Sequence, residues 1–138
     1  MTRRVALAAL ADVVAIVVFV AIGRRNHNEG SSISGIAGVA APFLIALLVG
    51  WIAARAWARP TQVEAAFIIW PITVALGMVL RHFVFDRGTA LPFIVVATLF
   101  TGLFLVGWRM VAASLQSRAE LRRSERAHHV ESDKVRGG

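Results

Sequence analysis

The sequence contains no cysteine, which removes a disulfide framework and any thiolate metal site and leaves the redox compartment undetermined. It has no Gly-rich phosphate loop, no His-Glu helix motif and no nucleophile elbow. No catalytic residue, metal site or cofactor is therefore expected, and the chain reads as a non-enzyme. Charged residues make up 17% of the chain and hydrophobic ones 57%, too apolar for an ordinary soluble domain, whose apolar share is about 45 to 50%. The apolar runs are continuous and lack the alternation of strands with one polar face, which excludes a closed β-barrel. The formal net charge of +7 would raise the question of nucleic acid in a soluble protein. Here the basic residues lie at helix ends and from Arg118 to Arg136, where anionic headgroups and the positive-inside rule account for them. No nucleic-acid partner is expected.

What the sequence does have is four apolar blocks, each near the ~18 residues that span a ~30 Å hydrocarbon core. They run from Val5 to Gly23, Ile33 to Ala54, about Val63 to Leu80 and about Ala90 to Trp108. The first block, after Arg3 and Arg4, also has the layout of a secretory signal peptide. Its length, Asp12 within it and the three spans that follow favour a retained helix. Short connections imply antiparallel sequential neighbours, so the expected fold is an all-α, four-helix transmembrane bundle over residues 1–113. A polar tail follows over residues 114–138, helical to roughly His129 because it has no Pro or Gly before Gly137, and otherwise read as solvated and partly disordered. Eleven Lys and Arg lie on the side of the two termini and four on the other. That bias predicts that both termini are cytoplasmic, with the tail deciding the matter and its arginines facing anionic lipid headgroups.

Two segments repeat. Leu44 to Ala54 (LIALLVGWIAA) and Leu103 to Ala113 (LFLVGWRMVAA) share a Leu-Val-Gly-Trp core, and the preceding loops, Arg24 to Gly30 and Arg81 to Gly88, correspond loosely. A Pro-Phe pair follows each loop, at Pro42 and Pro92, in imperfect register. The chain reads as two related hairpins in a parallel repeat about the membrane normal, although Gly-Trp near an interface is also ordinary aromatic-belt composition.

Polar groups in the apolar blocks are costly and therefore informative. Asp12 lies about 10 Å into the hydrocarbon and must face protein, face water or hold a proton. It serves either as packing glue or as a proton or cation site, the first being favoured. Indole donors in the same half, at Trp51, Trp70 and Trp108, are its candidate partners. Arg109 is a candidate counter-ion, but a position near the expected helix end favours snorkelling to the headgroups. Gly38, Pro42, Ala46, Gly50 and Ala54 recur every fourth residue and predict a close-packed face on helix 2. Thr73, Gly77 and Arg81 repeat that spacing in helix 3, turning Arg81 toward the same neighbour-facing side. Pro71 predicts a weak point at mid-membrane. His27, Glu29, His82 and Asp86 carry no metal-ligand spacing and read as loop residues.

The run Asp12 to Gly30 (DVVAIVVFVAIGRRNHNEG), Pro42-Phe43, Gly50-Trp51, Gly77 to Arg81 and Gly107-Trp-Arg109 resembles a family of small prokaryotic four-helix membrane proteins known as a domain of unknown function, from about residue 5 to 113. The resemblance implies the same topology in a prokaryotic cytoplasmic membrane and carries no activity. A structural or accessory membrane component, acting as a homo-oligomer or with a membrane protein partner, is the expected function. The alternative is a small oligomeric proton- or cation-coupled transporter using Asp12.

Overall fold

The computed structural model describes residues 2–26 and 32–137, with only the backbone of residues 25 and 26. The described residues form four α-helices: α1 (Arg3–Asn26), α2 (Ile33–Ala53), α3 (Val63–Phe83) and α4 (Leu91–Arg136). All four are long and apolar enough to cross a membrane. They form an all-α bundle in which α1 packs on α2 and α4, and α3 on α2 and α4. Among the described residues the diagonal pairs α1–α3 and α2–α4 do not pack, so the helices close a ring in chain order.

Local chemistry sets the helix ends. The Ser32 hydroxyl accepts the Gly35 N–H at 3.3 Å and caps α2, satisfying a backbone donor that the first turn leaves open. Pro92 sits in the first turn of α4, where its missing N–H costs nothing. α3 continues through Pro71, which lies on an exposed face. α4 does not stop where the apolar block stops or near His129. It runs unbroken to Arg136 and ends at Gly137, because no helix breaker intervenes. Every residue from Ser114 to Gly137 is exposed, so α4 leaves the bundle as a single projecting helix.

The interior divides into two layers. Toward the end that carries the α1–α2 and α3–α4 connections, Phe19, Phe43, Phe93 and Phe100 gather around Phe19, with ring centroids 5.5 to 6.0 Å from it. Ile16, Leu47, Ile69 and Leu105 fill the layer below. Large apolar side chains such as Leu10, Leu48, Phe67, Leu99 and Leu103 point outward, an arrangement suited to lipid rather than water. Between helices in lipid, close packing replaces the hydrophobic drive. The small-residue face of α2 supplies it: Pro42, Ala46 and Gly50 are buried, while Gly38 and Ala54 are half-buried. A Cβ on Gly50 would lie 3.2 Å from the Ile69 backbone, and one on Gly77 would lie 2.5 Å from the Phe43 ring. Both glycines lie at tight contacts between α2 and α3.

Candidate functional site

Asp12, on α1, is fully buried. So is Arg109, on α4. Their side chains meet in a two-pronged ion pair, Arg109 Nη1 to Asp12 Oδ1 at 2.8 Å and Nη2 to Oδ2 at 2.7 Å, the geometry that gives a guanidinium its hold on a carboxylate. Two indoles complete the carboxylate. Trp108 Nε1 donates to Oδ1 and Trp51 Nε1 to Oδ2, each at 2.8 Å. Each oxygen thus accepts two N–H donors, which fills all four acceptor positions of a carboxylate. Arg109 is equally occupied: its Nε donates to the Pro60 carbonyl at 3.1 Å and Nη1 also to the Leu105 carbonyl at 2.9 Å. The guanidinium carbon lies 4.4 Å from the Trp108 ring centroid, in range of a cation–π contact.

The snorkelling expected of Arg109 is therefore corrected. Snorkelling would strand a buried carboxylate without its counter-ion, at a cost of several kcal/mol. Arg109 is also not at a helix end, since α4 continues past it. Trp70 does not reach Asp12 either. It lies on α3, diagonal to α1, and donates to the Thr98 carbonyl at 2.9 Å while covering Gly102. Arg81 belongs to the opposite end of the bundle, where its Nε donates to the Gly88 carbonyl at 3.0 Å and its guanidinium lies 4.3 Å from the Phe93 ring centroid. Of the intramembrane polar candidates, the structure brings Asp12 and Arg109 together and leaves Trp70 and Arg81 apart.

Two features escaped sequence reasoning. The Pro60 carbonyl, in the α2–α3 connection, has no side-chain signal. Thr73 is fully buried, as its spacing with Gly77 predicts, but its Oγ1 finds no hydrogen-bond partner among the described residues, which the sequence does not signal. His27 and Glu29 lie outside the described residues, and His82 and Asp86 are exposed.

The profile of a family described as "Protein of unknown function (DUF3054)" matches residues 9–112. The chain belongs to the DUF3054 family. No curated protein and no solved structure matches it. In this DUF3054 protein the matched segment includes Asp12, both indoles and Arg109, and it stops before the projecting half of α4. The unit defined by the family is thus the bundle closed by the ion pair. The DUF3054 description assigns no activity.

The atoms of the site are fully engaged with one another. The Asp12 carboxylate accepts four N–H donors and is fully buried. The arrangement ties three helices and one connection together: α1 through Asp12, α2 through Trp51, α4 through Trp108 and Arg109, and the α2–α3 connection through Pro60.

Proposed function

We propose that this integral membrane protein is a non-enzymatic structural or accessory component of a prokaryotic cytoplasmic membrane, with both termini in the cytoplasm and Asp12 as the packing centre of its bundle. The observation that carries this reading is the saturated Asp12 carboxylate. A coupling carboxylate has to exchange protons or cations with water, and four donors at 2.7 to 2.8 Å leave no acceptor position for that exchange. The excess of Lys and Arg on the side of the termini supports the orientation. A component of this kind acts through copies of itself or through a membrane protein partner.

The test is proton flux in liposomes under an imposed pH gradient, wild type beside Asp12→Asn and protein-free vesicles. The expected result is a wild-type rate equal to that of empty vesicles. A wild-type flux that Asp12→Asn abolishes while remaining folded would replace this reading with that of a coupled transporter. Copurification from native membranes then identifies the partner.

A further inference from the structure

α2 ends in a turn that usually closes on glycine. The Arg55 N–H bonds the Ile52 carbonyl and the Ala56 N–H bonds the Trp51 carbonyl, both at 3.1 Å, with Arg55 between them at φ 49°. This is the Schellman pattern, whose left-handed residue is most often Gly, because a Cβ there costs about 1 to 2 kcal/mol. An arginine at that position is a cost without an evident return inside the bundle.

The turn is held from beneath. Ala56 is buried in the core, the neighbouring Trp51 is fixed on Asp12, and Arg109 fixes Pro60. Between these anchors Arg55, Trp57 and Arg59 are exposed, Trp57 to 48%. The connection therefore displays guanidinium, indole and guanidinium at alternate positions. The same end carries the exposed Arg3 and Arg4 at the start of α1, with Glu64 in the first turn of α3 as the acidic residue of the adjoining helix start.

We propose that Arg55, Trp57 and Arg59 form a docking surface for the headgroup of an anionic phospholipid. The guanidinium forks pair with the phosphate oxygens, and the indole seats at the headgroup boundary, apolar on its ring and polar at its N–H. Charge complementarity favours this occupant: four exposed guanidiniums face the layer in which anionic phosphates lie. The tail is the competing location. However, α4 is one helix, so Arg118 stands about 13 Å and Arg126 about 25 Å beyond Arg109 along its axis, on a segment exposed along its whole length rather than seated in the bundle. This surface needs neither the orientation nor the role of Asp12 proposed above.

The experiment is lipid retention by native mass spectrometry, with purified protein in detergent offered equal phosphatidylglycerol and phosphatidylcholine. Wild type is expected to retain phosphatidylglycerol preferentially. Arg55→Asn with Arg59→Gln, the first chosen because Asn tolerates the left-handed turn, should reduce that retention roughly tenfold. Arg118→Gln with Arg122→Gln and Arg126→Gln should leave it unchanged. As a readout free of mutation at the arginines, spin-labelled phosphatidylglycerol in nanodiscs should quench the emission missing from Trp57→Phe more than spin-labelled phosphatidylcholine does. Equal quenching by the two lipids, full retention by the loop variant, loss in the tail variant, or displacement of the lipid by inorganic phosphate would each overturn the proposal.

Discussion

Trp51 and Trp108 donate their indole N–H groups to opposite oxygens of one carboxylate, that of Asp12. They sit on α2 and α4, which lie diagonally across the bundle, and each follows the glycine of a Leu-Val-Gly-Trp segment. The two halves of the sequence thus contribute matching donors to a single acceptor. The match ends there. The residue after Trp108 is Arg109 and the residue after Trp51 is Ile52, and Trp70 of α3, whose place in its helix is like that of Asp12 in α1, donates to Thr98 instead. One acid and one base break the likeness, and they select each other.

Replacing either indole by phenylalanine should measure what it contributes. Trp51→Phe and Trp108→Phe each remove one donor to a charged acceptor and leave most of the ring in place. The expected loss is about 1.5 to 3 kcal/mol for each, read as the midpoint of denaturation in detergent. Trp70→Phe removes a donor to a neutral carbonyl and should cost about 0.5 to 1.5 kcal/mol. A larger loss at Trp70 than at the other two would contradict the ranking.

Thr73 offers the opposite sign. Its hydroxyl is buried and makes no hydrogen bond among the described residues, so it carries a desolvation cost with no return. Thr73→Val keeps the shape and should stabilise the bundle by about 1 kcal/mol. A clear drop in thermal stability would mean that the hydroxyl is engaged.

Close approach of α2 and α3 predicts a strong positional contrast. Gly50→Leu places a side chain against the Ile69 backbone, which has no means of yielding, and should destabilise by more than about 3 kcal/mol. Leu48 is 62% exposed, so Leu48→Ile should be nearly silent. Leu47, only 4% exposed, is a core residue and should be sensitive to truncation. Equal melting temperatures for the Gly50 and Leu48 variants would place the small-residue face toward lipid.

Most of the fold was legible because span length and apolarity are properties of the chain itself. α1, α2 and α3 lie within a few residues of their apolar blocks, α4 starts with its block but runs 28 residues past Trp108 to Arg136, and the every-fourth-residue pattern from Pro42 to Gly50 marks the buried face of α2. The site was legible in part. Asp12 stood out as a charge in hydrocarbon, but its partners depend on which helices are neighbours, and spacing within one helix does not report that. Trp51, Trp70 and Trp108 looked alike by depth; only the ring order separates them. Arg109 departs from the expected snorkelling for a related reason. Snorkelling suits an arginine considered alone, whereas the outcome depends on the carboxylate it would abandon. The left-handed Arg55 was invisible, since no turn residue marks it.

Orientation is open to a direct measurement. Reporter fusions at Arg59 and after Ser117 should report the cytoplasm, and fusions at Asn28 and Arg87 the other side. The basic residues on the side of the termini include Arg109, which the ion pair neutralises, so the bias rests on the tail. Truncation after Ser117 leaves the two sides nearly balanced and should give mixed signals at all remaining sites. A uniform orientation after truncation would show that something other than Lys and Arg sets it.

The ion pair itself makes the sharpest prediction, because removing one partner and removing both have different consequences. Asp12→Asn keeps one oxygen but replaces the other with an NH2 that faces an indole or guanidinium donor. It also leaves Arg109 charged and buried, so a loss of about 3 to 5 kcal/mol is expected. Arg109→Gln strands the carboxylate and should cost as much. Asp12→Leu with Arg109→Met leaves no buried charge to compensate. Replacing a buried pair by apolar groups of similar volume is often neutral or stabilising by about 1 to 4 kcal/mol, so the double variant should be more stable than either single one. A thermodynamic cycle built from these variants in detergent should be strongly non-additive. Additive losses would mean that Asp12 and Arg109 act independently, and the bundle would then have to be held at this level by the indoles alone.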